Sequence, residues 1–141
     1  MTDTNSCFKK TRIGKTGYNV NNFINFEAIV NQFIEKYFSC ICNNNIQNLI
    51  DCNMIREYTT IKFNKDEYTG QKLYDFLNRF KTYNINIDTF NYMSNGSRRI
   101  DIIIIGTMSN ENETIRFNQI FTYCHHNNSW YIKNSIFMVF Q

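Results

Sequence analysis

Two aspartates on predicted strands, Asp88 and Asp101, are the side chains best suited to acid–base chemistry in this 141-residue chain. A carboxyl group inside an apolar pocket has a shifted pKa and can act as a general acid or base, with a tyrosine such as Tyr58 or Tyr92 as hydrogen-bond donor. The spacing of these residues pairs no acid with a base, and positions at strand edges or turns explain both carboxylates. We therefore expect a protein that is not an enzyme.

Metal ligation is the second chemistry to consider. His125 and His126 follow Cys124 in a predicted turn, and Cys40 and Cys42 lie on a predicted helix. Adjacent histidines in a hairpin turn point in opposite directions, and the two helical cysteines do not converge. We expect neither a metal nor a cofactor. The five cysteines, an odd number without regular spacing, favour free thiols in a reducing compartment.

Residues 1–21 are predicted to form a basic, flexible N-terminal arm that precedes a folded domain over residues 22–141. Lys9, Lys10, Arg12 and Lys15 cluster there among Thr, Gly and Asn. Such a cluster suits contact with RNA phosphates or with an import receptor, and the alternative is a solvated terminus. The net charge of +3 is mild and does not by itself indicate a nucleic-acid binder. No apolar run is long enough to span a bilayer, so we expect no membrane contact and an intracellular location.

Three helices are predicted from apolar residues repeating at intervals of three and four. The first runs over Asn22–Cys42 with Asn25 as its cap, the second over Asn45–Cys52, and the third over Thr69–Phe80 with Thr69 as its cap. The order of helices first and long strands last indicates an α+β domain.

Five strands are predicted from alternating or continuous apolar runs bounded by turn residues. They are Arg56–Phe63, Tyr83–Met93, Ile100–Ile105, Ile115–Tyr123 and Trp130–Phe140. The last four form an antiparallel meander, with Asn95-Gly96 as a hairpin turn. The run Ile100–Ile105 lacks regular polar alternation and suggests a strand covered on both faces. A partner chain is the expected second cover.

Three stretches carry a resemblance to a known family: QFIEKYF in the first helix, YTGQKLYDFL leading into the third, and GTMSNENETIRFNQIFTYCHHNNSWYIKNSIFMVF at the end. In this order and spacing, the chain from about Phe26 onward resembles the nuclear transport factor 2 family. The resemblance implies a cone-shaped α+β fold, in which a curved antiparallel sheet packs on three helices. The family contains transport factors, scaffold domains and small-molecule enzymes, so function must be argued from the site.

One branch of the family imports Ran-GDP through an apolar cavity ringed by acids. The resemblance places Phe63, Asn64, Glu111 and Glu113 at that Ran-like cavity. Asn64 stands where the importer has a third acid, and the loss of one carboxylate removes a charge-assisted contact worth about 1.5–3 kcal/mol. The other interpretation of Glu111 and Glu113 is a solvated hairpin loop.

A second branch is the small subunit of the mRNA-export receptor heterodimer, which Asn64 matches better. The resemblance implies a dimer interface on one sheet face, formed by Phe117, Gln119, Phe121, Ser135, Phe137 and Met138. It also implies binding of Phe-Gly nucleoporins through Phe26, for which core packing is the alternative. Met138 stands where that subunit has an arginine that anchors the pair.

The resulting hypothesis is a non-enzymatic nucleocytoplasmic transport factor at the nuclear pore, found in nucleus and cytoplasm. It pairs sheet to sheet, with the large mRNA-export receptor slightly favoured as partner over a second copy of itself. One alternative is a homodimeric Ran-GDP importer. The other is a small-molecule isomerase or hydratase that uses the cone pocket.

Overall fold

The computed structural model describes residues 7–10, 16–18 and 24–140. In chain order its elements are β1 (Phe8–Lys10), β2 (Thr16–Tyr18), α1 (Phe26–Cys42), α2 (Ile46–Asp51), β3 (Ile55–Phe63), β4 (Asp66–Thr69), α3 (Gly70–Asn78), β5 (Asn84–Ser94), β6 (Arg99–Ser109), β7 (Thr114–His126) and β8 (Ser129–Phe140). The three predicted helices and five predicted strands are all present, with boundaries shifted by a few residues. The short strand β4 lies between the predicted strand Arg56–Phe63 and the predicted third helix, where no strand was predicted.

The strands form one curved, open sheet in the order β1-β5-β6-β7-β8-β3-β4, with β2 also paired to β5. The antiparallel meander β5 to β8 is confirmed. The sheet as a whole is mixed, because β1 and β2 run parallel to β5 and β3 runs parallel to β8. The predicted curved sheet on three helices is confirmed, and these parallel pairs are an addition to the predicted antiparallel strands. Parallel neighbours are joined by long connections, which leave no local pattern in the sequence.

Asparagine supplies the left-handed backbone positions at several element ends. The described residues with positive φ other than glycine are Asn44, Asn53, Asn64, Asn127 and Asn128. Asparagine tolerates this conformation better than most residues because its short side chain bonds locally to the backbone. The consecutive pair after β7 gives the two-residue turn that leads into β8.

Three irregularities in strand register bend the sheet around the helices. They lie between Ile87 and Thr89 on β5, between Ile55 and Thr60 on β3, and at the β7–β8 pairing near Tyr123. Bulges increase local twist and bend a strand. Gly106 lies opposite Ile87, where an added Cβ would stand 2.5 Å from the Asn86 carbonyl oxygen. The bend therefore requires the absence of a side chain there.

Helix α1 packs its apolar stripe into the concave face of the sheet. The Asn25 side chain accepts a hydrogen bond from the Ala28 amide at 3.0 Å, which confirms the predicted cap. Thr69 precedes α3, but its hydroxyl donates to backbone carbonyls of β3, so its predicted capping bond is absent. The stripe of α1 is confirmed by its buried members: Phe26, Val30, Phe33, Ile34, Tyr37, Phe38 and Ile41.

Aromatic rings join α1 to β7 at the centre of the core. The Phe121 ring lies 4.8 Å from Phe33 and 5.1 Å from Tyr37, both edge to face. The Phe33 ring is also 4.5 Å from Tyr123. Edge-to-face pairs are favourable beyond the area they bury, so these contacts fix the helix on the sheet.

The N-terminal segment corrects two expectations. Residues 8–10 and 16–18, predicted as part of a flexible arm, form strands on β5, and Phe8 stacks on Phe38 at 6.2 Å between ring centroids. Cys7 and Cys42 form a disulfide with Cα atoms 5.9 Å apart, which contradicts an all-thiol chain. Arg12 and Lys15 lie outside the described residues. Over the described part of the chain, none of the helices has the length and hydropathy to cross a bilayer.

Candidate functional site

Alternation along β6 and β7, and along β8 from Ser135 onward, gives the sheet two different faces. On β7, Phe117, Gln119 and Phe121 are buried against the helices, whereas Asn118 and Ile120 point away from them. We call the second surface the outer face. Its apolar members are Ile103, Ile105, Ile120, Ile136, Met138 and Phe140.

The apolar residues of the outer face lie side by side across three strands. Ile103 pairs with Ile120, and Ile120 pairs with Ile136. Ile103 and Ile136 are 43% and 44% exposed. The solvent face of an antiparallel sheet is usually polar, and a contiguous apolar patch marks an interaction surface.

Charged pairs border the apolar residues of the outer face. Lys62, next to Ile136 in the sheet register, forms an ion pair with Glu67 at 3.4 Å. Arg99 and Asp101 form another at 3.1 Å. Exposed pairs of this kind contribute only about 0–1 kcal/mol to stability. Their placement gives an apolar centre with a polar margin, the usual anatomy of a protein interface.

The predicted dimer-interface residues belong mostly to the other face. Phe117, Gln119, Phe121, Ser135 and Phe137 are buried inside the single chain, with exposed fractions between 0% and 4%. Their assignment to an interface is therefore corrected, because they pack on the chain's own helices. Met138, which is 39% exposed, is the one of the six that lies on the outer face.

A small, partly open cavity lies between helices α1 and α3 and the inner face of the sheet. The cavity has a volume of about 20 Å³, which is room for about one water molecule. Among the described residues that line it, Tyr37 and Gln119 are the polar ones. The Gln119 amide donates to the Ser135 hydroxyl at 3.0 Å. Burial raises the pKa of Tyr37 well above its usual value, against a smaller opposing effect of the Gln119 hydrogen bond, so its hydroxyl is neutral at pH 7.

The four residues considered for catalysis are spread over the sheet. Asp88 accepts a hydrogen bond from Asn86 at the β5 bulge, and Asp101 is paired with Arg99. Tyr58 is 53% exposed, and Tyr92 is buried. None of the four is among the described residues lining the cavity.

An aromatic cluster surrounds the mouth of the cone. We call it the aromatic rim, and its members are Phe63, Tyr68, Phe76, Phe80, Tyr83 and Phe137. Phe63 lies 5.4 Å from Phe76 and 5.3 Å from Phe137, between ring centroids. The Arg79 guanidinium lies 5.3 Å from the centre of the Phe76 ring. The rim thus combines ring faces with one cation.

One acid of the predicted Ran-like cavity is attached to this rim. The Tyr83 hydroxyl donates to the Glu113 carboxylate, and this bond raises the pKa of Tyr83, with smaller contributions from burial and charge. The Asn110 side chain accepts from the Glu113 amide at 3.0 Å and orders the loop. Glu113 is therefore held by a specific partner, although Glu111 and Glu113 both stay exposed in the hairpin loop between β6 and β7, as the alternative interpretation expected.

The remaining predicted cavity residues are distributed around the rim. Phe63 is part of it, and Asn64 follows in the exposed β3–β4 turn with φ of 59°. Glu111 is exposed and lines a separate surface depression with Thr82 and Asn84. The structure thus brings Phe63 and Glu113 to one cluster and leaves Glu111 beside it.

Phe26 is fully buried at the first position of α1, with 0% exposure. It cannot present its ring to a Phe-Gly repeat in this conformation, so the predicted nucleoporin contact is corrected. The residue starts the apolar stripe of α1, and core packing was the alternative explanation of the same spacing.

Two polar features were missed from the sequence: the buried Gln119–Ser135 pair and the Tyr83–Glu113 bond. The first had a usable signal. Gln119 alternates in phase with Phe117 and Phe121, and Ser135 with Phe137, which places both polar side chains inside. The second joins residues thirty positions apart and has no local signal.

The candidate metal ligands do not assemble either. Within the described residues, no three His, Cys, Asp or Glu side chains converge on a common point. The His125 ring packs on Trp130 at 5.2 Å between centroids.

Comparison with solved structures shows the same fold in proteins of low sequence identity. The yeast UBP3-associated protein BRE5 is 16% identical, with a TM-score of 0.68 over 84% of this chain and 98% of that one. An NTF2-like protein of unknown function from Pseudomonas putida is 10% identical, with a TM-score of 0.67 over 80% and 85%. An uncharacterised protein with a cystatin-like fold from Caulobacter vibrioides is 7% identical, with a TM-score of 0.68 over 82% and 89%. At these identities the likeness concerns the fold alone.

Comparison of sequences identifies the family more specifically than comparison of structures does. No curated protein matches the chain in sequence. The sequence model of the nuclear transport factor 2 (NTF2) domain, however, matches residues 29–139. Because this match spans most of the chain, the protein belongs to the nuclear transport factor 2 (NTF2) domain family.

Proposed function

We propose that this protein is a non-enzymatic nucleocytoplasmic transport factor that works as one half of a sheet-to-sheet dimer. The observation that carries the proposal is the outer face. Its isoleucines are in register on β6, β7 and β8, and two of them are more than 40% exposed. Burial of apolar surface is the main favourable term in protein association, so this face is the natural place for a partner's sheet.

The interior supports a binding role over catalysis. A cavity of about 20 Å³ is too small for a substrate beyond water size. Its polar lining consists of a tyrosine kept neutral by burial and an amide, as far as the described residues go. A general acid or base that works near pH 7 needs a different pair of groups.

The large subunit of an mRNA-export receptor is the favoured partner, and the nuclear pore is the favoured location. Asn64 lies at the rim where the importer branch of the family has an acid. The centre of the outer face is apolar, and Met138 stands where the export subunit has an anchoring arginine. Both features suit an apolar interface with a related sheet. We also propose that the protein binds Phe-Gly nucleoporins, as the resemblance to the transport branches of the family implies, and we assign no contact residue to this binding.

A homodimeric Ran-GDP importer is the second candidate. It is favoured by the position of Phe63 and Glu113, which belong to one aromatic cluster at the mouth of the cone. Here the cavity of about 20 Å³ would have to widen for an inserted aromatic side chain.

Sedimentation velocity over a concentration series tests the proposal, with the chain alone, with Ran-GDP and with the NTF2-like domain of a large export receptor. We compare the wild type with Ile136→Glu on the apolar stripe and with Asn134→Glu as the matched control. Asn134 is exposed on the same strand and pairs with the polar Thr122. Ile136→Glu is expected to weaken association at least about thirtyfold, equivalent to about 2 kcal/mol, since a charge replaces a central apolar contact.

The outcomes separate the candidates. Association with the receptor domain, lost in Ile136→Glu and kept in Asn134→Glu, supports the export role. A stable homodimer that binds Ran-GDP supports the importer. A chain that stays monomeric at high concentration and binds neither protein overturns both.

A further inference from the structure

The outermost long strand of the sheet, β5, is covered along its edge by the chain's own N-terminal residues. Strand β1 pairs with residues 85–87 of β5, and β2 pairs with residues 91–93. An uncovered edge strand presents a row of unpaired amides and carbonyls that can template pairing with another chain. The N-terminal segment therefore acts as a built-in cover for this edge.

The non-covalent attachment of β1 involves few residues. The strand has three residues, and the Ile85 amide donates to the Cys7 carbonyl at 2.7 Å. Phe8 stacks on Phe38. The Lys10 ammonium donates to the Asn31 amide oxygen at 2.5 Å, and it lies 3.4 Å from the exposed Glu35 carboxylate and 5.9 Å from the centre of the Phe90 ring. Very short strands and exposed ion pairs contribute little on their own.

A disulfide bond adds a covalent link to these contacts between β1 and the rest of the fold. Cys7 comes directly before β1, and its disulfide partner Cys42 is the last residue of α1, 35 positions along the chain. Cys42 is buried, whereas Cys7 is only half buried, so the Cys7 sulfur is the more accessible of the two. The remaining cysteines are free thiols: Cys40, Cys52 and Cys124.

We propose that Cys7–Cys42 is a reversible thiol–disulfide site that latches β1 onto the edge of β5. When a dithiol reduces it, β1 leaves and the backbone of residues 85–87 becomes available to an extended strand. This latch is independent of the outer face and goes beyond the transport role. It gives the edge two states, covered when the cysteines are oxidised and open when they are reduced.

The exchange reaction uses a dithiol of the thioredoxin or dithiothreitol class. One thiolate of the dithiol attacks the Cys7 sulfur, the S–S bond breaks, and Cys42 leaves as a thiolate that takes up a proton. The second thiol of the dithiol then attacks the mixed disulfide and releases Cys7. The protein gains two electrons and two protons, and the dithiol becomes a disulfide. Cys40 does not take part, because residues two apart on a helix do not face each other.

Amide hydrogen exchange followed by NMR tests the latch, with the Ile85 amide as the reporter and the amides of the central β6–β7 ladder as the internal reference. The protein is measured untreated, after full reduction with dithiothreitol, and as the Cys7→Ser variant. Cys52→Ser is the matched control, because Cys52 is an exposed free thiol. Thiol titration of the denatured, unreduced protein accompanies these measurements.

We expect three free thiols in the unreduced chain and an increase of about tenfold or more in Ile85 exchange on reduction and in Cys7→Ser, with β6–β7 unchanged. Cys52→Ser should behave like the wild type. Five titratable thiols before reduction would overturn the proposal, and so would unchanged Ile85 exchange in the reduced protein. An equal rise at β6–β7 would also overturn it, because the bond would then stabilise the whole fold and not the edge. Reduction of the wild type gives this answer even if Cys7→Ser folds poorly.

Discussion

The inner and outer faces of strands β6 to β8 are made by alternate residues of the same segments, yet they have opposite relations to the rest of the chain. On β7, Phe121 is fully buried among rings of α1. Its neighbour Ile120 points the other way, in register with two isoleucines that are more than 40% exposed. The chain's own helices satisfy one apolar face and leave the other in water.

The difference separates stability from function within one strand. Inner residues are fixed by packing, so substitutions there are expected to unfold the protein. Outer residues such as Ile103 and Ile136 keep more than 40% of their surface exposed, so substitutions there are expected to cost the isolated chain less. Experiments that change one face at a time can break or sharpen this division.

Phe121→Ala on the inner face is expected to have the largest effect. It removes a ring that touches Phe33, Tyr37 and Phe38, and such a cavity costs about 3–5 kcal/mol of unfolding free energy. Urea denaturation followed by circular dichroism measures the loss. Thr122→Ala, the next residue on the outer face, is the control and should change stability by less than about 0.5 kcal/mol. Similar losses in both variants would contradict the division.

Gly106→Ala tests the bend that makes the inner face concave. The new Cβ would stand 2.5 Å from the Asn86 carbonyl oxygen and 3.0 Å from the Phe117 ring. A backbone carbonyl cannot move aside as the end of a flexible side chain can. We therefore expect a loss of about 1–3 kcal/mol of unfolding free energy. Thermal unfolding measures it, with Thr107→Ala as the neighbouring control. A Gly106→Ala protein as stable as the wild type would show that the bend tolerates a side chain.

The buried polar pair offers a smaller and more selective test. Gln119→Leu removes the amide partner of both the Ser135 hydroxyl and the Tyr37 hydroxyl and should cost about 1–3 kcal/mol. Adding Ser135→Ala should recover part of the loss, because the orphaned hydroxyl is then removed as well. Asn118→Leu, on the outer face of the same strand, should leave monomer stability within about 0.5 kcal/mol. If the double variant is no more stable than Gln119→Leu, the pair is not coupled.

The sequence predicted the α+β fold and the order of its helices and long strands because these depend on local periodicity. The stripe of α1, the Asn25 cap and the β5–β6 hairpin at Asn95-Gly96 are all local patterns. Strand β4, and the parallel strands β1 and β2, could not be found in this way, because strands of three or four residues are too short for a period to appear.

The site was predicted less well, for a geometric reason. A resemblance placed Phe117 and Phe121 at an interface, although their alternation with Ile115 and Tyr123 already put them on one common face. That face is the core, and a shift of one residue moves to the opposite face of the strand, where we propose the interface. The Cys7–Cys42 bond and the Tyr83–Glu113 contact join distant positions and leave no local pattern.

The rim, where the inner face meets the surface, gives the smallest predicted effect. The hydrogen bond to Glu113 raises the pKa of Tyr83, because ionisation would break that bond and place two negative charges together. The contribution of this bond to stability is therefore present below the ordinary tyrosine pKa of about 10 and is lost as pH rises through the higher folded value.

Glu113→Gln removes the charge and should return the pKa of Tyr83 toward about 10. Titration of the tyrosine ring carbons by NMR measures this, with Glu111→Gln as the control that leaves Tyr83 unchanged. If Glu111→Gln lowers the pKa of Tyr83 as much as Glu113→Gln does, then the two loop acids affect Tyr83 only through their negative charge and not through a specific hydrogen bond. Glu113 would then have no special place at the mouth of the cone, and the observation that favours a Ran-GDP importer would be lost with it.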